Sequence, residues 1–269
     1  MSVTTAAGRP VRDPGRMLWV ATGAGWAILV ALEFVPRGHL AHAAHAVTSM
    51  EAGTVAWPLV LAAFGAGWLV MVSAMMLPTT VPMARMFTVV SVRHAASGPV
   101  RTAFFGAYLA VWLAFAAVAI GAVVAAQPFL AGVAPAFVLA GALGLAGVFQ
   151  FSPLKQRCLT ACREPAAFLY AHYRRGVRGA WVVGLRHGLS CLGCCWALML
   201  VMFATGVADL AWMLGLTAVM VTEKVARWGH RVVVPVGIVL LLAAAVLAAV
   251  GLEPAAAQMP DPHGSMHMH

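Results

Sequence analysis

Apolar residues run along this chain in long blocks with almost no charge inside them. Seven blocks stand out, near residues 17–35, 57–77, 102–125, 134–152, 181–204, 208–224 and 232–251. A helix needs about 20 apolar residues to cross a bilayer, and the blocks match that length. The fourth and sixth are short, which leaves six or eight crossings as alternatives to seven. Strand-like alternation persists nowhere, which argues against a β-barrel. The first block makes a poor signal peptide: it begins after sixteen residues and lacks a small-residue cleavage site before Glu33 and Pro36.

The charged residues orient the blocks. Arg9, Arg12 and Arg16 precede the first. Arg85, Arg93 and Arg101 lie between the second and third. Lys155, Arg157, Arg163, Arg174, Arg175 and Arg178 lie between the fourth and fifth, and Lys224, Arg227 and Arg231 between the sixth and seventh. That is fifteen of the 17 lysines and arginines on one side, which is the cytoplasm by the positive-inside rule. Only Arg37 falls outside, and Arg186 lies within the fifth block. The expected fold is therefore an all-α polytopic bundle of about seven spans, N-terminus inside and C-terminus outside. It divides into a cytoplasmic tail (1–16), a transmembrane helical domain (17–252) and an extracytoplasmic tail (253–269). A short helix along the membrane surface is expected near Pro165 to Arg175. Gly141, Gly144 and Gly147 line the fourth span as for close helix packing.

Composition agrees. Of 269 residues, 62% are apolar and only 9% charged, against about 25% charged in soluble domains. A soluble enzyme, a disordered chain and a small disulfide scaffold are excluded. The net charge of +9 would suggest nucleic acid in a soluble domain. Here the excess is topological charge on inner loops, so no nucleic-acid partner is expected. The location that follows is the cell inner membrane, crossed several times.

Five cysteines and 15 methionines direct attention to soft-metal chemistry. The fifth span carries His187, Cys191, Cys194 and Cys195 in RHGLSCLGCCWALM. At about 100° per residue they share roughly a 100° arc of one helix face. Cys191 with Cys194 or Cys195 could hold one ion, and His187 would serve a neighbouring position. A lone buried cysteine is commonly a small hydrophobe, but three within five residues beside a histidine point to metal or redox function. Met71, Met75 and Met76 close the second span, with Pro78 and Pro82 breaking the helix just beyond. Methionines of this kind are usually core filler, yet their depth matches that of His187. Cys158 and Cys162 form a CxxxC at the inner edge, suited to chelation on a helix. Glu223-Lys224 closes the sixth span. It is either a solvated helix end or a carboxylate that orients His187 or Lys155. Outside, His39, His42 and His45 recur every third residue, and the chain ends in His263-Gly-Ser-Met266-His267-Met268-His269. Both suit auxiliary metal capture. No P-loop, P-type-pump segment or dinucleotide fingerprint occurs.

Four ordered motifs carry a resemblance. They are Ala74-Met75-Met76-Leu77-Pro78 with Pro82-Met83; Ser152-Pro153-Leu154-Lys155 with Cys158 and Cys162-Arg163; His187-Gly188 through Cys191 and Gly193-Cys194-Cys195-Trp196 to Leu198-Met199; and Glu223-Lys224. Over roughly residues 57–230 the chain resembles the bacterial "predicted metal-binding integral membrane protein" family, catalogued as a domain of unknown function. It departs from that family in its histidine-bearing outer loop and in lacking a methionine around Ala208-Asp209. The resemblance implies metal binding but no established reaction.

The combined expectation is a membrane protein that handles copper, as Cu(I), with zinc as the alternative metal. It would acquire the ion, transfer it, or deliver it to a metallochaperone or recipient metalloenzyme. The rivals are a membrane thiol oxidoreductase or metallo-oxidase built on the span-five cysteines, and a non-catalytic scaffold. Catalysis is the less favoured reading.

Overall fold

A computed structural model describes residues 14–34, 57–91, 97–205 and 209–257. All regular structure among them is helical, and no strand occurs among the described residues. In chain order the helices are α1 (Pro14–Glu33), α2 (Trp57–Ser91), α3 (Ser97–Leu130), α4 (Pro135–Gln150), α5 (Pro153–Arg163), α6 (Pro165–His172), α7 (Gly176–Thr205), α8 (Leu210–Val225) and α9 (Val233–Ala257). A 3₁₀ turn, Gly229–Arg231, precedes α9. His39, His42, His45 and the His263–His269 tail lie outside the described residues.

Among the described residues five helices are long and apolar enough to cross a membrane: α1, α2, α3, α7 and, with its leading turn, α9. The number rises to six if α4 and α5, bent by 69° at their junction, make one broken span. The sixth apolar block forms α8, only 16 residues long, so it stays below the length of an independent crossing. The break between α4 and α5 has a local cause. Ser152 is extended and its hydroxyl accepts from the Leu154 N–H at 3.1 Å, while Pro153 occupies the first helical position. This is an N-cap followed by a proline, which starts a new helix.

The second helix corrects an expectation. Pro78 and Pro82 do not end it; α2 runs on to Ser91 with both inside. A proline at 78 leaves the Ala74 carbonyl without its usual donor. The Trp26 indole of α1 supplies one, at 3.2 Å. The Thr79 and Thr80 hydroxyls both donate to the Met76 carbonyl, at 2.8 and 3.1 Å. The indole stands in for the donor that Pro78 removes, and the helix continues past both prolines, carrying Met71, Met75 and Met76 in its middle rather than at its end.

Small residues set the close contacts. A Cβ on Gly184 would collide with the Phe104 carbonyl oxygen, so α7 can approach α3 closely only with glycine there. In α4, Gly147 meets Leu241 and Gly144 meets Ala244 of α9, whereas Gly141 faces open space. Thus two of the three span-four glycines take part in packing. The helix foreseen around Pro165 to Arg175 is α6, ending at His172.

Candidate metal centre

The site is built where α2, α5, α7 and α8 meet. Met71, Met75 and Met76 of α2 share one buried core with Cys162 of α5, with Cys191, Cys194 and Cys195 of α7, and with Met213 and Met220 of α8. All five cysteines are free thiols, and all but the half-buried Cys158 are buried.

Cys191 is the hub. Its Sγ lies 3.3 Å from the Tyr108 hydroxyl of α3 and 3.2 Å from the Lys224 Nζ of α8. Cys162 packs into the same buried core beside Cys191. The Cys191 backbone carbonyl accepts from the thiols of both Cys194 and Cys195, each at 3.0 Å. A helical carbonyl serves i+3 and i+4 side chains when these are small and polar, so the Cys191–Cys194–Cys195 spacing produces this arrangement directly. Cys194 lies in that core with Cys162 as well. The CxxxC motif and the span-five cysteines, separate features along the chain, therefore meet in space through Cys162. Its partner Cys158 faces Gly193, where a Cβ would come within 2.6 Å of the Cys158 sulfur. The two thiols of the CxxxC thus have different neighbours.

Lys224 enters the same cluster. Its ammonium is 3.2 Å from Cys191 Sγ, 3.4 Å from Cys195 Sγ and 3.7 Å from Met76 Sδ. Of the three methionines, Met76 is the one whose sulfur is placed at the cluster by a polar contact. With the thiols of Cys194 and Cys195 turned to the backbone, no group of three His, Cys, Asp or Glu side chains is disposed as a finished metal site among the described residues.

Glu223 does not point at the cysteines. Its carboxylate, 1% exposed, pairs with Lys155 Nζ at 2.7 Å, and Lys155 is wholly buried. Gln150 Nε2 donates to the other oxygen at 2.9 Å, and Lys155 also donates to the Cys194 carbonyl at 3.1 Å. Arg163 donates from its guanidinium to the Glu223 and Arg227 carbonyls. These bonds tie α4, α5, α7 and α8 together beneath the sulfurs. A buried ion pair with each oxygen bonded meets the condition under which such a pair is tolerated.

His187 sits one turn from Cys191 and is 2% exposed. Its ring stacks on Phe104 and Tyr108, with centroids 6.1 and 5.7 Å away, and meets Phe168 edge-on at 5.8 Å. Neither ring nitrogen has a hydrogen-bond partner. Glu223 therefore does not orient it.

Tyr108, Gln150 and the placement of Lys224 were not foreseen from the sequence. The signals were present but weak: one hydroxyl inside an apolar span, one amide at the end of another, and a lysine read as a helix-end cation.

A family profile described as a copper chaperone, PpoB2, matches residues 65–247. The chain belongs to this copper chaperone family. The matched stretch contains every residue of the sulfur cluster and of the Lys155–Glu223 pair. It leaves out His39, His42, His45 and the C-terminal His/Met tail. No curated protein and no solved structure matches the chain.

Proposed function

We propose that the protein is a multi-pass inner-membrane copper chaperone that holds Cu(I) in the sulfur cluster of α2, α5 and α7 and hands it to a recipient metalloenzyme or a second chaperone. One observation carries the reading. Four cysteine thiols and the Met76 thioether share a buried core inside the family-matched stretch, and Cys191, Cys195 and Met76 already meet a positive charge there. Thiolate and thioether sulfur are the ligands that favour Cu(I) over harder ions. Cys191 and Cys195, with Cys162 or Met76, are the proposed ligands. Binding asks only for side-chain rotation: the thiols of Cys194 and Cys195 leave a backbone carbonyl that keeps its helical donor. His187, with two free ring nitrogens one turn away, is a neighbouring stopping place for the ion. Lys155 and Glu223 hold α5 and α7 in register and so position Cys162 against Cys191.

The decisive measurement is elemental analysis of detergent-purified protein beside a variant with Cys191, Cys194 and Cys195 all changed to Ser. Wild type should carry copper and the variant should not. Full copper occupancy in the variant would refute the sulfur site and return the thiols to packing or redox roles.

The outer histidines have an auxiliary part in this reading, as collectors on the extracytoplasmic side. Exchanging His39, His42 and His45 for Ala should slow copper loading in cells only at low external copper. Loss of bound copper at saturating supply would make the outer loop the main site instead.

A further inference from the structure

A buried ammonium is costly unless an anion or a full set of acceptors meets it. Lys224 is 4% exposed, and the carboxylate beside it in the chain, Glu223, is turned to Lys155 and Gln150. The acceptors that converge on Lys224 Nζ are sulfurs: Cys191 and Cys195 of α7 and Met76 of α2, at 3.2, 3.4 and 3.7 Å. Three soft atoms from two helices surround one monovalent cation, which is the geometry asked of a Cu(I) site with the side chain's own charge at its centre.

We propose that the Lys224 ammonium is a resident cation that occupies the copper position, so that loading exchanges it for Cu(I) and unloading lets it return. The proposal deepens the copper reading and rests on it. The reason is spatial and electrostatic. An ion bonded to Cys191 and Cys195 cannot share the space between them with an ammonium 3.2 to 3.4 Å from both, and two positive charges at that range repel strongly away from water. Lysine suits the role because its charge rides on four rotatable methylenes, so the head can swing aside while the backbone of α8 stays in place. No electron moves in the exchange. Each thiol that becomes a thiolate ligand gives its proton to water as the ion arrives, and takes one back as the ion leaves. The returning ammonium then does for a departing ion what an acceptor alone would do more slowly, since it competes for the same sulfurs from within.

A site whose competent form is only partly populated binds more weakly by that fraction. Lys224→Leu removes the charge without adding a sulfur donor, and because a lone buried charge is itself costly the fold should tolerate an apolar side chain there. The test is a titration of Cu(I)-loaded detergent-purified protein with bathocuproine disulfonate, read at equilibrium and as a rate of copper transfer to the chelator. Lys224→Leu should need about tenfold more chelator to be stripped and should release copper about tenfold more slowly. Lys224→Arg, which keeps the charge on a broader planar head, should bind copper no more tightly than wild type. A Lys224→Leu protein stripped as easily as wild type, or more easily, would overturn the exchange and make the ammonium a bystander or a needed counter-charge. Lys224→Arg gaining affinity would overturn it as well, even if Lys224→Leu fails to fold. Wild type that holds no Cu(I) would instead defeat the copper reading beneath it.

Discussion

Cys191→Ser should empty the site of most of its Cu(I) while leaving the protein folded. Cys191 is where the contacts converge: Tyr108 and Lys224 both reach its sulfur, and Cys162 shares its buried core. Serine keeps nearly the same volume and replaces a soft donor by a hard one that Cu(I) disfavours. The fold should hold because a serine hydroxyl can bond within its own helix, and because the Cys191 carbonyl, which anchors Cys194 and Cys195, is backbone and unchanged. The affinity loss should exceed the roughly 10–100-fold typical of removing a residue that merely supports a ligand. Met76→Leu should lose less, since a thioether is the weaker donor. Met75→Leu should lose less again, as Met75 is buried in the same core with no polar contact placing its sulfur at the cluster. His187→Ala should lower affinity without abolishing binding. Competitor titration of Cu(I) ranks all four, and unfolding in detergent confirms that each remains folded. Full occupancy in Cys191→Ser would remove the hub from the site.

The second large effect is on stability. Glu223→Gln should destabilise the protein by about 3–5 kcal/mol, the usual cost of leaving one member of a buried pair uncompensated. The glutamine matches the carboxylate in shape but cannot neutralise Lys155, which is fully buried and 2.7 Å away. Lys155 would keep the Cys194 carbonyl and gain an amide oxygen as acceptors, and neither is a counter-charge. Replacing both partners at once, as Lys155→Met with Glu223→Leu, should recover much of the loss, because neither leftover charge remains. Denaturant or thermal unfolding of detergent-solubilised protein reads this directly. If Glu223→Gln unfolds with wild type, the pair contributes nothing net. The double variant should still bind copper less well than wild type, since Lys155 and Arg163 help fix α5, and with it Cys162, against α7 and α8.

The two sets of contacts behave differently because their chemistry differs. The sulfur cluster makes few strong bonds and has side chains free to turn. The Lys155–Glu223 pair is held by short bonds from Gln150 and to the Cys194 carbonyl, and both its members are buried. A cargo site needs the first property, and its foundation needs the second.

Much of this was legible along the chain. Uninterrupted apolar blocks with charge only between them require helices, because helices satisfy their own backbone groups within the segment. Which residues share a helix face follows from helical geometry, so His187, Cys191 and Cys195 could be aligned by counting. Cys158 and Cys162 could be put on one helix in the same way. What counting could not decide is which face meets which neighbour. The persistence of α2 through Pro78 depended on a tryptophan 52 residues earlier, Trp26, whose indole takes the freed Ala74 carbonyl. The choice of Lys155 over His187 as the partner of Glu223 depended on the sharp bend at Ser152-Pro153, which turns α5 back onto α7. The same bend brings Cys162, and not the CxxxC pair as a unit, to Cys191. Lys224 looked like a helix-end cation because position in sequence says nothing of where a long side chain ends. Local spacing thus determined the helices and the candidate sulfurs. Only tertiary packing, in which a bend and a few long-range hydrogen bonds select among helix faces, decided that those sulfurs meet, and that they meet around a lysine.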